Sequence, residues 1–316
     1  MKRIVLVSLF SVSAMFCARA DETNTVIRVG TWKTQQTIQP FLYDKFLPKG
    51  LHCDVRPFTN PGDMKTALLA GSLDACGNTL VNAIISASKD EPVVLVCAMC
   101  NKCSALVVHK DSGITDTKDL KGKTIGYVPS TMHHLLLLDV LRRAGLSHND
   151  VILVRVDFFD MVNALSHKQI DGFLSGEPYP TLAARAGIGQ VLSYPYFDDS
   201  IGPLNAGVLV KRSLIENKPD LVQAIVTAHV RATEVLRGDH EDWIKRAAAF
   251  GNDTEVLKVA ATNIDLAWDM DSSFTNQIRR LGDKMLEHGM IERLPQWDKL
   301  IDARFVEKAR SHLQNR

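Results

Sequence analysis

Residues 116–157, DTKDLKGKTIGYVPSTMHHLLLLDVLRRAGLSHNDVILVRVD, restrict the fold more than any other stretch of the chain. Residues 123–128 have the composition of a strand, Ser130 or Thr131 opens a helical period, and residues 151–156 read as a second strand. A strand, a helix and a strand within about thirty residues make a βαβ unit, whose parallel strands need a crossover that covers one face of the sheet. At Val128-Pro129-Ser130-Thr131 the carboxyl end of a strand meets the amino end of a helix. Unpaired N–H groups and the helix dipole face outward together at such a join, which suits an anion or another polar ligand.

The chain has 316 residues, enough for two lobes with their own cores and short for three ordinary domains. Its start stands apart from the fold. Lys2 and Arg3 precede an apolar run over residues 4–16, and Ala18-Arg19-Ala20 offers the small residues of a peptidase site. Residues 1–20 are therefore predicted to be a cleaved signal peptide, and the mature protein to be periplasmic. Acylation at Cys17 would need a small residue before it, and Phe16 is bulky, so simple cleavage is expected. No later segment approaches the ~18 uninterrupted apolar residues of a membrane span. Loss of Lys2, Arg3 and Arg19 reduces the 37 basic residues to 34 against 36 acidic ones, a net charge of −2. That balance predicts no nucleic-acid partner and no polybasic membrane contact.

Along the mature chain, residues 26–32 are expected as a first strand that ends at Gly30-Thr31-Trp32, and residues 39–48 as a short helix. Residues 51–58 alternate as a strand does, with Leu51, Cys53 and Val55 on one face. A helix over residues 64–70 follows the capping residues Asn60 and Asp63, a short strand covers 73–76, and Asn78 or Thr79 opens the next helix. Residues 92–97 have the unbroken apolar character of a strand covered on both faces. Strands at 104–109, 171–174 and 191–194 and helices over 158–169 and up to Ala186 complete an alternating pattern, with a turn at 176–180. Residues 204–211 read as a return strand. The remainder is helical in pattern, over 219–236, 240–250, 255–267 and 274–288. The expected fold class is α/β with two lobes and a helical C-terminal segment. Residues 24–105 and 206–316 form a discontinuous first lobe and residues 106–205 the second, hinged by crossing strands near residues 104–110 and 204–211. A cleft between hinged lobes encloses a small ligand.

Several phrases then resemble a known family. They are Asp111-Ser112-Gly113-Ile114, Asp119-Leu120-Lys121-Gly122-Lys123-Thr124-Ile125, Ala67-Leu68-Leu69-Ala70-Gly71-Ser72-Leu73-Asp74, Ile170-Asp171-Gly172 and Asn217-Lys218-Pro219-Asp220-Leu221. Together they are similar to the NMT1/THI5-like periplasmic solute-binding proteins, which include nitrate, taurine, alkanesulfonate and pyrimidine binders of ABC importers. The resemblance implies a type II periplasmic-binding-protein fold and a monomer that delivers its solute to an ABC permease and ATPase. It places ligand contacts at Thr31, Trp32, Gly77, Asn78, Ser104, Ser130, Thr131 and Glu177, and Pro129 stands where the family often has Gly. Catalysis is not expected. The alternatives are a THI5-like enzyme of pyrimidine synthesis, which export disfavours, and a ligand-sensing subunit of a membrane receptor.

Of the six cysteines, Cys53, Cys76, Cys97, Cys100 and Cys103 follow the leader, and an odd number cannot all pair within one chain. Cys97-Ala98-Met99-Cys100-Asn101-Lys102-Cys103 is a CxxCxxC run at the carboxyl end of an expected strand, the edge where open α/β sheets bind ligands. An extended chain would hold Cys97 and Cys100 ~10 Å apart, whereas a disulfide needs Cα atoms within ~7 Å, so either a disulfide or shared ligation requires a turn there. Three readings stand. Cys76, Cys97, Cys100 and Cys103, joined by His133, hold a soft metal or iron–sulfur species as solute; two of the thiols form a disulfide; or the thiols are core residues, as expected for Cys53. His133 and His134 point ~100° apart on a helix, so at most one reaches a ligand. Trp32 suits a flat solute or lobe packing, and Glu177 suits a cationic or heterocyclic solute or a solvated turn. Trp268 and Trp297 are expected to pack. No nucleophile elbow, P-loop or Rossmann glycine run is present.

Overall fold

The computed structural model describes residues 25–197 and 201–314; the leader expected at residues 1–20, with Cys17, lies outside them. In the first lobe, β1 (Thr25–Thr31), β2 (Leu51–Pro57), β3 (Ala75–Thr79) and β4 (Val93–Lys102) alternate with α1 (Pro61–Leu69) and α2 (Leu80–Ser88). The second lobe runs through β5 (Ser104–His109), β6 (Thr124–Tyr127), α3 (Met132–Arg143), β7 (Ile152–Arg155), α4 (Met161–Ser166), β8 (Gly172–Gly176), α5 (Tyr179–Arg185) and β9 (Gly189–Ser193). The chain returns in β10 (Leu204–Lys211) and ends in helices that include Pro219–Gly238, His240–Ala248, Thr254–Ala261, Ser272–Glu287 and Arg304–Gln314, interrupted by β11 (Ile264–Leu266). The two sheets have the orders β11-β4-β10-β3-β1-β2 and β7-β6-β8-β5-β9.

The expected βαβ unit forms, with β6 and β7 parallel from Thr124 opposite Ile152 to Tyr127 opposite Arg155. Thr131 caps α3 through its Oγ1, which accepts from His134 N at 3.2 Å, and Arg142 and Arg143 lie in the last turn, where the dipole favours cations. Leu135, Leu136 and Leu137 are all fully buried, a wider apolar face than one sheet requires. α3 also packs against α2 of the first lobe. Truncating one of these leucines to alanine would cost about 2–5 kcal/mol.

Each of the expected hinge strands, β5 and β10, pairs within one sheet only, so the first crossing falls at the end of the expected strand near residue 104. The first crossing is Lys102-Cys103, where both residues take left-handed backbone, φ 59° and 80°. Such a conformation costs an L-residue roughly 1–2 kcal/mol and is held here by Lys102 N donating to Pro203 O at 2.7 Å, Cys103 N to Asn263 O at 2.8 Å and Glu177 N to Cys103 O at 2.7 Å. The helix expected over 255–267 stops at Ala261, and Ile264–Leu266 instead pairs antiparallel with Lys102, Asn101 and Cys100 on the edge of β4. Residues 39–45 form a 3-10 helix, shorter and tighter than the helix expected over 39–48.

Candidate functional site

A cleft lies between the two sheets, lined on the first lobe by Trp32, Thr34, Gln36, Thr37, Thr79 and Asn205 and on the second by His133, Phe158, Phe159, Glu177 and Tyr179. Beyond β1 the chain reads Thr34-Gln35-Gln36-Thr37-Ile38-Gln39, and every one of these residues is buried. Burying amides and hydroxyls is costly unless they are paired, and here the side-chain N–H and O–H donors tie the segment into an arch, while Gln35, Gln36 and Gln39 each keep an Oε1 without a partner. Thr31 Oγ1 donates to Thr37 O at 2.8 Å, and Thr37 Oγ1 to Trp32 O at 3.0 Å. Gln35 Nε2 reaches Leu257 O at 3.3 Å, and Gln39 Nε2 reaches Met99 O at 2.9 Å. Gln36 reaches the other lobe, its Nε2 donating to Glu177 O at 2.8 Å.

Glu177 follows β8 directly and is 2% exposed. Its Oε2 accepts from Thr181 N at 3.2 Å and its Oε1 from Asn263 Nδ2 of the first lobe at 3.3 Å. Burial pushes its carboxyl up to about 6. His133 shares a 2.7 Å hydrogen bond between its Nδ1 and Ser104 Oγ and meets the Phe158 ring edge-on at 5.1 Å. Burial drives its imidazole down to about 3, so it is neutral. Phe159 and Tyr179 make a second edge-on pair at 5.6 Å. No lysine or arginine is found among the described lining residues.

Of the residues singled out from the sequence, Trp32, Glu177, His133 and Cys100 line the cleft. The other expected contacts stand behind it. Thr31 is spent on the arch, and Ser104 orients His133. Asn78 Nδ2 donates to Pro61 O at 3.0 Å and its Oδ1 accepts from Thr79 N at 2.8 Å. A Cβ at Gly77 would lie 2.5 Å from Met99 Sδ, so glycine there permits close packing. The amino end of α3 is occupied by its own chain: Thr131 Oγ1 caps the helix and donates to Val128 O at 2.7 Å, and Ser130 N donates to His134 Nδ1 at 3.4 Å. Ser130 is exposed.

The thiol ligand set is corrected. β4 stays extended through Cys97 and Cys100 to Lys102, so the turn that joint ligation requires does not form. Cys97 Sγ donates to Trp268 O, Cys103 Sγ accepts from Asn205 Nδ2, and Cys76 lies in β3. Cys53, Cys76, Cys97, Cys100 and Cys103 are all free, which removes the disulfide reading. Burial pushes Cys76 and Cys100 up to about 12, so they are neutral thiols rather than thiolates. Among the described residues no three His, Cys, Asp or Glu side chains converge as a metal site, His133 included.

Sequence reasoning missed Gln36, Thr34, Thr37, Asn205, Phe158, Phe159 and Tyr179. One signal was available for the arch: five uncharged hydrogen-bonding residues within residues 34–39, directly after a buried strand.

The profile described as NMT1/THI5 like matches residues 46–241. A putative binding protein of Brucella abortus is 25% identical over 301 residues, covering 88% of this chain and 86% of its own. A 4-amino-5-hydroxymethyl-2-methylpyrimidine phosphate synthase of Schizosaccharomyces pombe is 28% identical over 125 residues, 39% of this chain and 36% of its own. Among solved structures, the ligand-binding component of an ABC-type import system from Staphylococcus aureus, with zinc bound, superposes with a TM-score of 0.79 at 18% identity, covering 90% of this chain and 99% of its own.

Proposed function

The chain belongs to the NMT1/THI5-like family, and from that membership we propose that it is the periplasmic solute-binding component of an ABC importer, closing its lobes on a small organic solute for delivery to permease and ATPase subunits. The observation that carries this reading is the cleft itself, built from both sheets across a crossing at Lys102-Cys103. Its free volume is about 40 Å³, against ~300–1,000 Å³ for ordinary small-molecule sites. A solute therefore enters only when the lobes part. Contacts that span the lobes favour closure: Gln36 and Asn263 on Glu177, and the ion pair of Arg142 with Glu287. Bound solute would add its own contacts to both walls and shift the equilibrium further.

Trp32 on one wall and Phe158, Phe159 and Tyr179 on the other favour a flat, heterocyclic solute. A thiol-held metal species is not supported, since Cys76 and Cys100 are neutral thiols and no three metal-ligating side chains converge among the described residues. Binding is favoured over pyrimidine-forming chemistry because the relative with that activity matches only 39% of the chain and the cleft's histidine is held neutral between Ser104 and Phe158. The test is to recover the protein from a periplasmic extract, unfold it, identify the released molecule, refold, and measure compaction by small-angle scattering when that molecule is returned. Release followed by compaction is expected, together with loss of uptake of that molecule when the chain is deleted. A refolded protein that stays the same size and a deletion that leaves uptake intact would remove the proposal.

A further inference from the structure

Between them, the two walls leave an uneven set of hydrogen-bonding groups. Gln36 must present Nε2 to Glu177 O, because a carbonyl only accepts, so its Oε1 is the free end, buried and without a partner. Asn263 is fixed the same way by the ionised Glu177 carboxylate, leaving its Oδ1 buried and without a partner. With the carboxylate itself, three acceptor groups are linked through Glu177, and of these Gln36 and Glu177 line the cleft. On the same wall as Gln36, Trp32 Nε1 is a buried donor without a partner.

The charges are uneven as well. Glu177 is 2% exposed and receives two hydrogen bonds, neither from a cation. The described lining holds no lysine or arginine, His133 is neutral, and the amino end of α3 is closed by Thr131 and His134. A sulfonate or nitrate would meet the Glu177 carboxylate and unpaired amide oxygens with no cation to offset them, and burying such an anion unpaired is strongly unfavourable.

We propose that the solute is a flat cation rich in N–H donors, of the amidinium or protonated amino-heterocycle class, whose charge is balanced by Glu177 and whose donors satisfy Gln36. This rests on the solute-binding reading and specifies its charge. The ring would lie between Trp32 and Phe158, with a ring acceptor toward Trp32 Nε1. Glu177 would then act on both lobes at once, holding Asn263 and Gln36 across the cleft while it neutralises the ligand.

Three probes of nearly the same shape separate the charge classes: benzamidine as cation, benzamide as neutral analogue and benzenesulfonate as anion. Each is titrated calorimetrically into solute-free protein and into Glu177→Gln. The expected result is benzamidine binding at least tenfold tighter than benzamide, no measurable benzenesulfonate binding, and a benzamidine-to-benzamide affinity ratio that falls toward one in Glu177→Gln. A purely structural Glu177 would move both probes together. The wild-type ranking decides alone if the variant does not fold. Benzenesulfonate binding best, benzamidine and benzamide binding equally, or no benzamidine binding at millimolar concentration would each overturn the cation. Uptake lost on deletion alongside any of these would leave the importer reading standing, so the two failures are distinguishable.

Discussion

The first-lobe wall of the cleft is neutral and hydrogen-bonded to itself through Thr31, Thr34, Gln35, Thr37 and Gln39, whereas the second-lobe wall carries the rings of His133, Phe158, Phe159 and Tyr179 and the carboxylate of Glu177. The difference assigns separate work to the two lobes. The arch is held because Thr31, Gln35, Thr37 and Gln39 each donate to a backbone carbonyl, and it offers Trp32 and the free Gln36 Oε1 as reference points on the cleft. The opposite wall supplies apolar area and charge. A solute on the first lobe alone would be oriented and weakly held, and the second lobe would add most of the affinity on closing.

That division can be broken in order of expected effect. Trp32→Ala removes the one ring of the first wall and should weaken solute binding by about 2–3 kcal/mol, read by calorimetry; a change under threefold would mean that the second wall suffices. Glu177→Gln should change stability with a particular sign. Because burial raises the Glu177 carboxyl from 4.5 to about 6, the native state keeps a proton between those values that the unfolded chain has lost, so its burial lowers stability above pH 6 and the deficit vanishes as pH falls to 4.5. Solute-free Glu177→Gln should therefore be more stable than wild type by up to about 2 kcal/mol at neutral pH, with the gap closing near pH 4.5. His133, His134 and His229, lowered by burial to about 3, 4 and 4, contribute stability that is lost as pH falls toward those values, but they are common to both proteins. A gap that is constant with pH would show that Glu177 is not the titrating group.

Phe158→Ala should cost about 1–2 kcal/mol of affinity, less than Trp32→Ala because Phe159 and Tyr179 remain. Gln36→Leu removes one hydrogen bond between the lobes and should shift the solute-free protein toward the open form by about 1 kcal/mol, visible as a larger radius of gyration. Cys100→Ser exchanges one neutral side chain of the cleft wall for another and should be the mildest, leaving metal content unchanged. Loss of a bound metal in that variant would restore the thiols as ligands.

The same contrast explains what was legible in advance. β6, α3, β7 and β10 were readable because their apolar periods and the Thr131 cap are local properties. The cysteine run misled for a physical reason: a free Cys packs as a small hydrophobe, and Val93 to Lys102 is one strand whose thiols replace other core side chains. β11 was hidden because three residues are too short for an alternation to stand out from the helix before it. The arch was unreadable in detail because a buried glutamine and a solvated one look alike until their partners are placed. Trp32 and Glu177 were named through the family resemblance, and Gln36, whose role depends on a carbonyl 141 residues away, was not.

The position of β10 also sets a schedule. It lies between β3 and β4 in the middle of the first sheet, yet it is made only after the whole second lobe. The second sheet, from β5 to β9, is contiguous and can fold as soon as it is complete, since chains emerge N-terminus first and folding is faster when partners are near in sequence. Until residue 211 arrives, β3 and β4 have apolar faces and no strand between them. The first lobe begins the chain and is the last to finish, so its early strands must be kept apart from other chains for most of the protein's birth.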